Sequence, residues 1–243
     1  MHREQRIRDL IKEEFTGWKK WEVTWLLTAC AVIFALSVYW KDTATGIVSA
    51  VTGVACVVCT GKGKLSAYFF GLINSILYAW ISWKAKYYGE VMLNALYYVP
   101  MQFWGFIVWS RHMSRETHEV EKRRMSLRGL VLLILAVAGG TALYGKILAM
   151  LGGSLPFVDA LSTVVSVIAM AVSVYMYMEQ WLLWIAVDVV TVFMWAVHFA
   201  KGGESMATLL MWIVYLGNAV IMLIKWNRES KGSSSSKHME HAS

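Results

Sequence analysis

Charge is the first thing this chain is short of. Asp, Glu, Lys and Arg make up 16% of its 243 residues, against about 25% in an ordinary soluble domain. A soluble fold of this length needs more polar surface than that, so the deficit argues against one. Proline is nearly absent, with two residues, and long stretches are left free to be helical. The three cysteines, Cys30, Cys56 and Cys59, all lie in apolar runs. Cys56 and Cys59 form a C-x-x-C, but no alternation of strands and helices surrounds it to support a redox reading. The two thiols are expected to pack as small apolar groups. The sequence has no G-x-S-x-G, no H-E-x-x-H, no paired Cys/His metal spacing, no P-loop and no dinucleotide fingerprint. A mid-span lysine, which a retinal Schiff base would need, is missing too. No catalytic residue, metal or cofactor is assigned, and the chain is not read as an enzyme.

What fills the sequence is apolar bulk. Hydrophobic residues account for 58%, including 13 Trp and 14 Met, and the mean hydropathy is +0.50. A bilayer core takes roughly 20 residues of helix. Eight segments meet or approach that length: 22–40, 44–60, 65–83, 91–109, 129–149, 157–178, 181–200 and 206–224. The second is the shortest, and Gly46, Gly53, Gly61 and Gly63 lie in it or just beyond it. Residues 3–20 set Ile7, Leu10, Ile11 and Phe15 among charges, the pattern of an amphipathic helix lying at the membrane surface. No cleavable signal pattern precedes the first run, which is expected to stay in the mature chain. The last residues, from Ser233 to Ser243, resemble a cloning remnant and carry no functional argument.

The net charge of +7 is explained by loops rather than by nucleic acid. Basic residues collect on one side of the membrane in bacterial-type topologies, and that side is the cytoplasm. Putting the N-terminus inside gathers 18 of the 23 Lys and Arg there, including Lys62, Lys64, Arg111, Lys122, Arg123, Arg124 and Lys225. An even number of spans then returns the C-terminus to the same side. The chain also reads as duplicated: residues 42–110 slide onto 156–224 without a gap, setting Gly89-Glu90 on Gly203-Glu204 and Asn74 on Asp188. Both copies would begin outside, so 129–149 is needed as a connector. Parallel repeats about an axis along the membrane normal are one of the two designs of membrane transporters.

Polar side chains inside the runs are few and fall in register. Trp181, Trp184 and Asp188 stand at i, i+3 and i+7, one stripe of a helix. A carboxylate at a span centre costs about 2.5–3.5 kcal/mol on insertion scales, so it faces a cavity or a partner. Two indoles and a carboxylate would suit a flat cation or a polyhydroxylated ligand. Against this, Trp181 reads equally as an interfacial anchor and Asp188 as a buried structural acceptor. Asn74, with Gly71 and Tyr78, occupies the matching helix of the first copy. Asn94, Tyr98 and Gln102 share a face of the fourth run, and Trp212, Tyr215 and Asn218 one of the eighth. Any single amide here serves as well for interhelical hydrogen bonding. Their recurrence in both copies favours one central cavity.

The W-x-x-W-x-x-x-D of Trp181, Trp184 and Asp188, the G-L-I-N of 71–74 and the Y-Y-G-E-x-x-L-N of 87–94 resemble the PnuC family of bacterial nicotinamide riboside transporters, over about residues 40–226. The resemblance implies an all-α membrane protein similar to the full-length SWEET fold. After an arm and extra span (1–41) it would have a three-helix bundle (42–110), a basic loop and connecting helix (111–155), a second parallel bundle (156–226) and a tail (227–243). It implies facilitated diffusion of nicotinamide riboside through a bacterial inner membrane, with both termini cytoplasmic. A cytoplasmic kinase would trap the substrate, without a necessary stable complex; a homo-oligomer is compatible with it. Ligand-facing positions would be Asn74, Asn94, Gln102, Trp181, Trp184 and Asp188, then Tyr98, Trp212, Tyr215 and Asn218. Another flat cationic vitamin such as thiamine, or a sensor that binds without transporting, is the alternative. Topology is directly testable: a cysteine at position 118 should react with an impermeant maleimide only from the cytoplasmic side. Labelling from outside alone would reverse the orientation.

Overall fold

The computed structural model describes residues 14–114, 116–150, 156–202 and 206–240. Most of the amphipathic arm expected over 3–20 lies outside these residues. Eight helices form within them: α1 (Lys20–Tyr39), α2 (Ala44–Lys62), α3 (Ser66–Lys84), α4 (Tyr88–Ser110), α5 (Leu127–Met150), α6 (Pro156–Val174), α7 (Gln180–Ala200) and α8 (Met206–Glu240). No strand is present among the described residues, only isolated bridges in the loops. Six helices are long and apolar enough to cross a bilayer, namely α1, α2, α4, α5, α7 and residues Met206–Ser230 of α8. α3 has the length, at 19 residues, but Asn74, Ser75, Ser82 and its tyrosines lower its hydropathy. The apolar stretch of α6 is described only over Ala160–Val174. It ends four residues before the expected limit, where Met176 takes a left-handed φ of 65° and the chain turns.

Local chemistry sets the helix ends. The Thr43 hydroxyl accepts the Gly46 N–H at 3.1 Å to start α2, satisfying one of the donors a helix N-terminus leaves over. Gly63 closes α2 at φ 82°, a conformation that costs a glycine nothing. Two carboxylates cap helices far away in sequence. Asp42 accepts from the Ala207 N–H at the start of α8 at 2.6 Å. Glu14 accepts from Leu65 and Ser66 N–H, both at 3.0 Å, at the start of α3. Negative charge at a helix N-terminus is favoured by the helix dipole, so these bonds both end a helix and fix its neighbour.

Packing arranges six helices in a closed ring, α2–α3–α4–α6–α7–α8 and back to α2. α1 lies outside against α2 and α8, and α5 outside against α6. Two buried indoles close the ring at its seams. Trp109 of α4 donates to the Ser173 and Val174 carbonyls of α6 at 3.3 and 3.1 Å. Trp226 of α8 donates to the Gly61 carbonyl of α2 at 2.8 Å. An indole suits such a seam, since it brings a large apolar surface and one N–H that gains from a partner when buried.

Below the ring, at the end carrying the 111–126 loop, charges alternate in a chain. Lys225 of α8 binds Glu22 of α1 at 2.8 Å, and Glu22 binds Lys62 of α2 at 2.9 Å. Lys62 binds Glu119 at 2.7 Å, Glu119 binds Lys122 at 2.6 Å, and Lys122 binds Glu229 of α8. Burial alone would push the Glu119 carboxyl up, but Lys122 and Lys62 outweigh it and hold it below the usual carboxylate range. A depressed carboxyl contributes stability above its unfolded value and loses it as pH falls through the folded one, so acid should loosen this junction. Removing one partner of a buried pair costs about 3–5 kcal/mol. Lys62→Met should fall at the low end, since Glu22 and Glu119 each keep a second base. A thermal melt at neutral pH that left the variant level with wild type would show that the chain of charges contributes nothing.

Candidate functional site

The ring encloses a cavity bordered by side chains of all six of its helices. All ten side chains singled out in the sequence border it: Asn74, Asn94, Tyr98, Gln102, Trp181, Trp184, Asp188, Trp212, Tyr215 and Asn218. They come from four helices, α3, α4, α7 and α8, and meet only because the ring closes.

On α7 the stripe is as expected, with Trp181, Trp184 and Asp188 on one face and Asp188 only 2% exposed. The Trp184 ring lies 6.2 Å from that of Tyr98 across the cavity. Trp181 packs edge-on against Trp226 at 5.7 Å, and its Nε1 is buried with no hydrogen-bond partner in the protein. On α8, Trp212 and Tyr215 meet edge-on at 5.0 Å. Asn218 donates to the Val57 carbonyl at 3.1 Å, while its own buried carbonyl oxygen is unpaired.

Asn74 is oriented without ambiguity. Its Nδ2 sits 2.8 Å from the Ser49 carbonyl and 3.2 Å from the Ser49 hydroxyl. A carbonyl only accepts, so nitrogen must face it. The amide oxygen is thereby turned to the Tyr215 hydroxyl, which donates to it at 3.3 Å. The pair depends on Gly53 of α2, where a Cβ would stand 2.1 Å from the Tyr215 hydroxyl and 2.7 Å from Asn74 Nδ2.

α4 departs from a regular helix. Residues Leu93–Tyr98 wind as a π-helix, in which bonds reach back five residues instead of four. In an unbroken α-helix, Asn94, Tyr98 and Gln102 would fan over roughly 80°. The wider winding holds that drift back and keeps all three on the cavity. Pro100 supplies the cause, for it lacks the N–H that would bind the carbonyl four residues earlier. It was the visible signal in the sequence for this irregularity.

Further residues join the lining that the sequence reading did not select. Ser166 and Ser173 of α6 border the cavity at i and i+7, a polar stripe legible on an otherwise apolar helix. Glu90, part of the motif at 87–94 but not selected as a site residue, borders it at the end away from the basic loop. Cys59 packs in the core as expected, and Cys56 also borders the cavity. Among the described residues, the lining holds two carboxylates, Asp188 and Glu90, and no Lys, Arg or His.

Membrane-length helices around an aromatic, acid-lined cavity define a multi-pass carrier of small molecules. Comparison with known proteins gives the family. Residues 43–228 match the family described as nicotinamide mononucleotide transporter. The nicotinamide riboside transporter PnuC of Neisseria mucosa is 43% identical over 222 residues, 89% of this chain and 84% of the relative. That of Haemophilus influenzae is 35% identical over 222 residues, 90% of this chain and 95% of the relative. A crystal structure of the vitamin B3 transporter PnuC superposes with a TM-score of 0.83 at 41% identity, covering 92% of this chain and 97% of that one. The chain belongs to the PnuC family, a family of bacterial membrane transporters rather than enzymes.

The π-helix carries its own test. Pro100→Ala restores a donor to α4 and should leave thermal stability equal or higher. Regularising the helix turns Asn94 away from Gln102, so ligand affinity should fall several-fold. Unaltered affinity would mean that the winding is not what aligns the three.

Proposed function

We propose that this protein carries nicotinamide riboside across the bacterial inner membrane by facilitated diffusion, with all eight helices spanning the bilayer and both termini in the cytoplasm. The ten aromatic and polar positions above bind the ligand, and a cytoplasmic kinase keeps the gradient inward by phosphorylating it. The helices act as two parallel three-helix units, α2–α4 and α6–α8, joined by α5, with α1 as the extra span. The order of the ring supports this arrangement, because shifting it by three helices maps each unit onto the other. The seams support it as well: the third helix of each unit donates an indole N–H to the first helix of the other.

One observation carries the choice of substrate, the pairing of aromatic faces with two carboxylates and no basic side chain in the lining. Indole and phenol faces attract a cation by their quadrupoles, an effect of about 2 kcal/mol or more once desolvated. Nicotinamide riboside offers a flat pyridinium cation, ribose hydroxyls and a carboxamide. Asp188 is placed to balance the ring charge or accept from hydroxyls, and the unpaired Trp181 N–H and Asn218 carbonyl to take an acceptor and a donor. Nicotinamide mononucleotide adds a phosphate dianion, which needs Arg, Lys or a cluster of backbone N–H groups and would face Asp188 and Glu90. The lining therefore favours the nucleoside over the nucleotide.

Uptake into proteoliposomes tests the reading. Labelled nicotinamide riboside should equilibrate without a proton or sodium gradient, and the mononucleotide should not enter. Asp188→Asn, which deletes charge at constant volume, should weaken binding tenfold or more if the carboxylate faces the pyridinium. Proton-driven accumulation above the outside concentration, lost in Asp188→Asn, would make the protein an active transporter. Preference for thiamine would reassign the substrate.

A further inference from the structure

α3 and α4 interlock through two reciprocal contacts. Tyr68 of α3 lies over Gly105 of α4, where an added Cβ would stand 2.1 Å from the ring. One turn away the roles are exchanged, and Gln102 of α4 lies over Gly71 of α3. A Cβ on Gly71 would meet Oε1 of Gln102 at 2.6 Å and its Cδ and Nε2 at 2.9 Å each. All three contacts are with the amide group and none with a backbone, so the whole carboxamide rests against the bare Cα. Gln102 is 8% exposed and borders the cavity, as does Gly71.

These distances make the glycine a determinant of where the amide sits. Gln102 borders the cavity, so an amide pushed off the α3 backbone at Gly71 moves toward that space. There it would take space meant for the ligand and turn its donor and acceptor away from their present directions. We propose that Gly71 is a positioning residue for ligand binding: it acts through Gln102, letting the carboxamide lie back against α3 so that the middle of the cavity stays open. This rests on the reading of the cavity as the binding site for nicotinamide riboside. It adds a residue that presents no side chain to the ligand at all.

The role is separable from mere tight packing, because it exists only while Gln102 is long. Nicotinamide riboside binding to the purified full chain would be measured by calorimetry, with melting temperature alongside, for wild type, Gly71→Ala, Gln102→Ala and the double variant. Gly71→Ala alone should weaken binding at least tenfold. In the Gln102→Ala background the added methyl meets no amide, so the double variant should bind and melt like Gln102→Ala, within about twofold in affinity. Equal losses from Gly71→Ala in both backgrounds would overturn the proposal, as would full affinity in the single variant. Should Gly71→Ala not fold, the double variant must; its failure would mean that Gly71 is small for another neighbour. Wild type that does not bind nicotinamide riboside defeats the functional reading and this role together. Wild type that binds, with Gly71→Ala unaffected, defeats this role alone.

Discussion

A hydrogen-bond donor buried in a membrane protein is costly unless it finds an acceptor inside the protein, and here that cost is met at the seams that close the ring around the site. No water is available in the hydrocarbon core to satisfy a stray N–H. The Trp109 and Trp226 indoles meet the requirement with main-chain carbonyls of the helices across their seams. The acceptors lie in the last turns of α6 and α2, where a helix leaves carbonyls short of backbone partners. Each bond thus pairs a buried donor and draws together helices far apart in sequence. The cavity is the space that remains when the ring closes this way.

The same economy governs the lining. Asn74 donates to Ser49 and turns its amide oxygen to the Tyr215 hydroxyl. Asn218 donates to Val57 and presents an unpaired oxygen. With Asp188 and Glu90 in the same lining, the wall is rich in acceptors and negative charge, and the aromatic faces add to that sign. A cationic ligand with several hydroxyl donors is the complement of such a wall. Outside the hydrocarbon region charge is handled differently. Six alternating acids and bases join α1, α2, the 111–126 loop and α8, tying the helix outside the ring to the ends of two helices within it.

Glycine supplies the room for these arrangements. Gly53 admits Tyr215 and Asn74, Gly71 admits Gln102, and Gly105 admits Tyr68. All three stand in regular helix, where glycine costs about 1 kcal/mol relative to alanine. Their use here is close approach of neighbouring groups rather than backbone freedom.

The sequence by itself determined the membrane class, the helices and the ten polar and aromatic positions now bordering one cavity. Each is written in a local quantity, either a hydropathy run or a helical spacing such as Trp181, Trp184 and Asp188. Only the tertiary structure decided which way those groups face their partners. The orientation of the Asn74 amide depends on Ser49, 25 residues earlier, and the seat of Gln102 on Gly71, 31 residues before it. The inclusion of Glu90, Ser166 and Ser173 in the lining depends on ring closure. The π-winding from Leu93 to Tyr98 stands between the two cases. Pro100 announced an irregularity, but a missing N–H can kink, bulge or end a helix, and the packing of α4 against α3 and α6 selects among these. Helical periodicity is local and therefore legible, whereas a hydrogen bond across a seam needs both of its ends in space.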